Sequence, residues 1–96
     1  MRESAIRRKI REHLKSVPGL WFCPVPGSRF GKRGVPDIIC CYYGKFLGIE
    51  AKATGEEPSP LQRHEGAAII AAGGVCVCAD NLDIVKQTLE DIKNGK

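Results

Sequence analysis

Apolar positions recur at helical spacing in the first stretch of the chain. Ile6, Ile10, Leu14 and then Val17 fall three or four residues apart, and Arg7, Arg8, Lys9, Arg11 and Lys15 occupy the other sides. This period predicts an amphipathic helix over residues 2–16, stopped by Pro18-Gly19. "LWFCPV" reads as a short strand, and Pro24 and Pro26 predict an edge position or an early end, because proline donates nothing to a ladder. Two longer apolar runs follow, roughly 35–43 and 45–53, joined by a tight turn near Tyr43-Gly44. Both are apolar on both faces, which predicts central strands covered by helices. After the polar loop "TGEEPS", Ser59 is a good N-cap and Pro60 a good first helical residue. They open a small, alanine-rich helix over 60–72 that Gly73-Gly74 ends. "VCVCA" predicts another strand, and Asp80 or Asn81 caps a last helix with Leu82, Val85, Leu89 and Ile92 on one face. The order helix, strand, strand, strand, helix, strand, helix shows no repeat or linker. It predicts one α/β domain over residues 1–96.

Composition agrees with that reading. The chain has 96 residues, 43% hydrophobic and 27% charged, and a domain of this size buries roughly two-thirds of its unfolded surface. No apolar run approaches the roughly 20 residues needed to cross a bilayer, and no signal peptide is visible behind the charged N-terminus. The five cysteines, Cys23, Cys40, Cys41, Cys76 and Cys78, are odd in number and contain no CxxC pair. They are expected as buried free thiols rather than zinc ligands, in a reducing, intracellular setting.

Charge is unevenly spread. Up to Lys45 there are ten Lys/Arg against three acids (+7); beyond it there are five against eight (−3). A basic half suggests a polyanionic partner, nucleic acid first, although a solvated helix face plus a basic loop explains the charge equally well. The loop "PGSRFGKRG" superficially resembles a phosphate-binding P-loop. Only three residues separate Gly27 from Gly31, however, and Arg33 stands where Ser or Thr belongs. The loop is better read as a basic segment touching a phosphate backbone, with no nucleotide cofactor.

Asp37, Glu50 and Lys52 interrupt the two apolar runs. Charges are rarely buried unless they are paired or bind a metal. A two-residue turn at Tyr43-Gly44 would set Asp37 directly opposite Glu50, one at Gly44-Lys45 would set it opposite Lys52, and any even-length loop keeps all three side chains on one face. Opposed Cβ atoms lie about 4.5–5.5 Å apart, close enough for two carboxylates to share one divalent cation at Mg–O distances of about 2.0–2.1 Å. Lys52 stands beside the same site. Such a site suits phosphodiester hydrolysis, and hard oxygen ligands favour Mg²⁺ or Mn²⁺ over zinc. The competing reading is a cross-strand ion pair at an exposed sheet end.

Pro36-Asp37 and Glu50-Ala51-Lys52 resemble the PD-(D/E)xK nuclease superfamily. More specifically, "GVPDIICC", "GIEAK" and "LQRH" in order resemble the virus-type replication-repair nuclease (VRR-NUC) domain over nearly the whole chain. The resemblance implies a restriction-endonuclease-like αβββαβ core with a mixed central sheet flanked by helices. It implies Asp37 and Glu50 as metal ligands, the Ala51 carbonyl as a third, and Lys52 as the catalytic lysine. It also implies Gln62 near the water or a phosphate, and Glu3 as the acidic residue of the first helix near the metal site. Without the resemblance, Gln62 reads as a surface helix residue and Glu3 as an exposed acid favoured by the helix dipole. His64 faces elsewhere and reads as a surface histidine.

A small, isolated domain suggests a homodimer acting on branched DNA such as a four-way (Holliday) junction, and the family's name suggests a phage or prophage origin and a cytoplasmic setting. Arg29, Lys32, Arg33, Arg7, Arg8 and Arg11 are the expected phosphate contacts. The alternatives are a non-catalytic DNA-binding module and a restriction-type nuclease with sequence specificity.

Overall fold

The computed structural model describes residues 1–26 and 32–96. The elements are α1 (Glu3–Lys15), β1 (Trp21–Pro24), β2 (Ile38–Tyr42), β3 (Lys45–Ala51), α2 (Pro60–Ala71), β4 (Val75–Ala79) and α3 (Leu82–Lys93). This is the order expected from the apolar pattern. The strands form one mixed sheet in the order β1-β2-β3-β4, antiparallel except for the parallel pair β3/β4. β1 is an edge strand, as its prolines require. β2 and β3 end earlier than their apolar runs do, so Asp37 and Lys52 lie just outside the ladder ends.

Tyr43 and Gly44 both adopt positive φ, 52° and 75°. That pair of left-handed residues makes the two-residue turn whose twist matches a hairpin. The turn fixes the register: Tyr42 pairs with Lys45 and Ile38 with Ile49.

Side-chain alternation divides the sheet. One face carries Ile38, Cys40, Leu47 and Ile49, which pack with Ile6, Ile10 and Leu14 of α1 and Val85, Leu89 and Ile92 of α3. The other face carries Gly48, Glu50, Cys76 and Cys78, and α2 lies over it. A Cβ on Gly66 of α2 would come within 3.3 Å of Cys76 Sγ, so the small residues of this helix do permit close packing. Ser59 caps α2 in a reciprocal box with Gln62, and Asn81 caps α3.

Two expectations need correction. The central strands are not covered on both faces: Trp21, Cys41 and Phe46, aligned across β1, β2 and β3, are exposed on the α2 side, because the short α2 reaches only β4 and β3. Of the five thiols only Cys40 is buried, and burial pushes it up to about 12; Cys41 is exposed and the rest are half-buried.

Candidate active site

The segment leading to Asp37 is held by two close backbone approaches. Gly34 has φ 82°, and a Cβ there would lie 2.5 Å from the Leu61 carbonyl oxygen at the start of α2. Pro36 is buried on Gly48 of β3, where a Cβ would lie 2.6 Å from Pro36 Cγ. Both positions need a missing side chain. The Asp37 carbonyl then accepts the Val25 N–H at 2.7 Å, and its carboxylate Oδ2 accepts the Ala51 N–H at 2.8 Å. Asp37 thereby continues the β2/β3 register by one residue, opposite Glu50.

Glu50 is 8% exposed. Its Oε1 accepts a hydrogen bond from Gln62 Nε2 at 2.9 Å. Burial first, then the charge of Asp37 and a hydrogen bond with it, and more weakly the charge of Glu3, push its carboxyl up to about 8; the Lys52 ammonium opposes this. These groups therefore share one electrostatic neighbourhood. Lys52 is half-buried, and its backbone N–H donates to the Ala79 carbonyl at 3.0 Å, tying the first residue past β3 to the end of β4.

Glu3 turns inward from the first turn of α1. It is bound by Arg7 one turn later, and the same Arg7 Nη2 lies 4.0 Å from Asp37 Oδ1. Among the described residues, the buried Arg7 Nε has no hydrogen-bond partner. The i, i+4 spacing of Glu3 and Arg7 was readable, but its convergence on Asp37 was not, since that depends on where α1 crosses the sheet.

The remaining basic residues divide. Arg11 joins Arg7, Asp37 and Pro24–Pro26 in an open groove of about 420 Å³. Arg8 lines a different groove, with Lys9, His13 and Leu82, against the start of α3. Lys32 bonds Glu65 of α2 at 3.2 Å and Arg33 is exposed. Arg29 lies outside the described residues. His64 is exposed. Sequence reasoning missed a cavity of about 280 Å³ beside Glu50, bounded by Gln62, Gly66, Ile70, Cys76 and Cys78. Apolar floor residues of a strand look the same whether a helix seals them or leaves a gap.

Among the described residues, no three His, Cys, Asp or Glu side chains converge as a complete metal-binding set. A divalent ion between Asp37 and Glu50 would need a backbone carbonyl and water to complete its shell, as Mg²⁺ commonly does. The donor chemistry suits one: two facing hard-oxygen carboxylates, one of them resisting ionisation because it is buried and its neighbour is anionic.

The protein named "Putative nuclease p44" of Acyrthosiphon pisum secondary endosymbiont phage 1 is 32% identical to this chain over 85 residues, 88% of each chain. A solved structure titled "VRR_NUC domain protein" superposes with a TM-score of 0.74 at 19% identity, covering 95% of this chain and 87% of that one. No protein-family model matches the sequence.

Proposed function

The chain belongs to the VRR-NUC family, and from that membership we propose that it is a metal-dependent DNA endonuclease that hydrolyses phosphodiester bonds. The observation that carries this reading is Asp37 set opposite Glu50 by the Tyr43-Gly44 turn, with Lys52 two residues beyond Glu50. Asp37, Glu50 and the Ala51 carbonyl would hold Mg²⁺ or Mn²⁺, which when bound polarises the phosphate and lowers the pKa of a water.

The chain's own groups do the rest. The Ala51 N–H orients the Asp37 carboxylate. Gln62 fixes Glu50 from the other side and presents an amide beside the reacting position. The Lys52 ammonium orients the attacking water or stabilises charge growing on the phosphate oxygens. Arg11, Arg29, Lys32 and Arg33 steer the DNA backbone toward the carboxylates, while Arg8 sits on the groove facing α3.

We take the substrate to be branched DNA, a four-way junction foremost, cut by a homodimer. The exposed row Trp21, Cys41 and Phe46 supports a second copy docking on the open sheet face. The phage source of the named relative supports a phage or prophage origin and action in the host cytoplasm.

The test is cleavage of labelled single-stranded, duplex, flap and junction DNA with Mg²⁺, Mn²⁺ or a chelator, comparing wild type with Asp37→Ala. Metal-dependent cutting that Asp37→Ala abolishes is expected. Equal binding with and without metal, and no cutting in any of them, would leave a DNA-binding module instead.

A further inference from the structure

We propose that the Arg7 guanidinium, held by Glu3 beside Asp37, occupies the place of a second metal ion, so that each active site takes a single divalent cation. The inference rests on the metal-dependent reading above.

Geometry supports it first. One nitrogen, Arg7 Nη2, bonds Glu3 Oε2 and lies 4.0 Å from Asp37 Oδ1. A cation that bridged Glu3 and Asp37 would have to sit where this guanidinium is. Glu3 is thereby engaged, which leaves Asp37 and Glu50 as the carboxylates open to a metal. Arg7 is held by Glu3: its side chain is one-third exposed, and its Nη2 bonds the Glu3 carboxylate.

Charge balance supports it second. Once a bound metal ionises Glu50, three carboxylates (Glu3, Asp37, Glu50) face the cations Arg7 and Lys52, a net of one negative charge before the metal's own charge is counted. One divalent ion turns that into one positive charge, which a phosphodiester's single negative charge neutralises. A second divalent ion alongside Arg7 would leave two positive charges uncompensated in a half-buried site, where like-charge repulsion is poorly screened. Arg7 shares a groove with Arg11 and Asp37 among the described residues, so the guanidinium is placed to meet an approaching phosphate.

The test is calorimetric titration of the metal-free full chain with Mn²⁺ and no DNA. The wild type is expected to bind one ion per chain. Arg7→Gln is expected to bind two, and Glu3→Gln/Arg7→Gln one again, because the new site needs Glu3. Two ions in the wild type would overturn the inference and leave the nuclease reading intact. A single ion in both wild type and Arg7→Gln would also overturn it. No binding at all would sink the metal-dependent reading along with it. Should Arg7→Gln fail to fold, anomalous scattering from Mn²⁺-soaked wild-type crystals decides. One peak between Asp37 and Glu50 is expected, and a second between Glu3 and Asp37 refutes the proposal.

Discussion

Gln62 uses both ends of its amide: Oε1 accepts the Ser59 N–H that starts α2, at 2.8 Å, and Nε2 donates to the Glu50 carboxylate, at 2.9 Å. One side chain therefore caps the helix and fixes the Glu50 carboxylate, the proposed metal ligand. The two roles separate by substitution. Gln62→Glu keeps an acceptor for Ser59 but replaces the donor to Glu50 with a like charge; Gln62→Ala loses both contacts. We expect urea denaturation to show Gln62→Ala destabilised by about 1 kcal/mol, the usual worth of a cap. Gln62→Glu should lose about tenfold or more in cleavage rate, while retaining its cap.

The Glu50 carboxyl is raised from 4.5 to about 8 by burial and by Asp37. In metal-free protein the folded state therefore keeps a proton that the unfolded chain has released. Stability must fall as pH rises between about 4.5 and 8. Glu50→Gln removes this titration. Wild type should lose roughly 5 °C or more of Tm across the window relative to that variant, read by differential scanning calorimetry. Millimolar Mg²⁺ should restore the wild type at the alkaline end and do little at the acid end, where protons compete for the ligand.

The hairpin register was legible only to within two choices: a turn at Tyr43-Gly44 sets Asp37 opposite Glu50 and one at Gly44-Lys45 sets it opposite Lys52, and the left-handed pair Tyr43-Gly44 decides for the first. The helices were legible from period and caps, as Ser59, Pro60 and Asn81 illustrate. Arg7 was read as one of several basic residues on a polar helix face. Only the crossing of α1 over the sheet end shows it among acids. Likewise Cys41 and Phe46 look like core in a string of apolar letters. Alternation says which face they share, not whether a helix of the same chain is long enough to cover it.

Arg8 and Arg11 point into different grooves, which gives a contrast in binding. Each phosphate contact contributes about one unit to the slope of log affinity against log salt. Arg11→Gln, and likewise Arg29→Gln or Lys32→Gln, should shallow that slope by about one unit on every DNA sequence tested by fluorescence anisotropy. Arg8→Gln should leave it nearly unchanged. A loss confined to one sequence would contradict a backbone role.

Trp21 and Phe46 are 59% and 42% exposed on the uncovered sheet face, on either side of Cys41. If a second copy covers them, Trp21→Glu should give a monomer by light scattering with the monomer fold intact by circular dichroism. Paired cuts across a junction should then become single nicks. A wild type that is already monomeric, alone and on junction DNA, would end the dimer proposal.

Pro36 rests on Gly48, and this contact sets the height at which Asp37 meets Glu50. A methyl at position 48 would stand 2.6 Å from Pro36 Cγ, with Pro36 Cβ at 3.1 Å. The first distance forces a shift and the second is tight, so the ring is expected to move and to take Asp37 with it. Gly48 itself sits in a strand interior, where alanine is otherwise the more favourable residue. Gly48→Ala is therefore expected to cost about 1–3 kcal/mol, the range for overpacking a tight site. It should also weaken divalent-ion binding measured by calorimetry, although residue 48 touches no ligand. Gly44→Ala is the control for a general glycine effect. Nothing lies within 4 Å of a Cβ there, and only its left-handed φ of 75° is strained, so stability should drop while metal affinity in the folded protein stays close to wild type. Equal metal affinity in Gly48→Ala and wild type would show that Pro36 does not position Asp37.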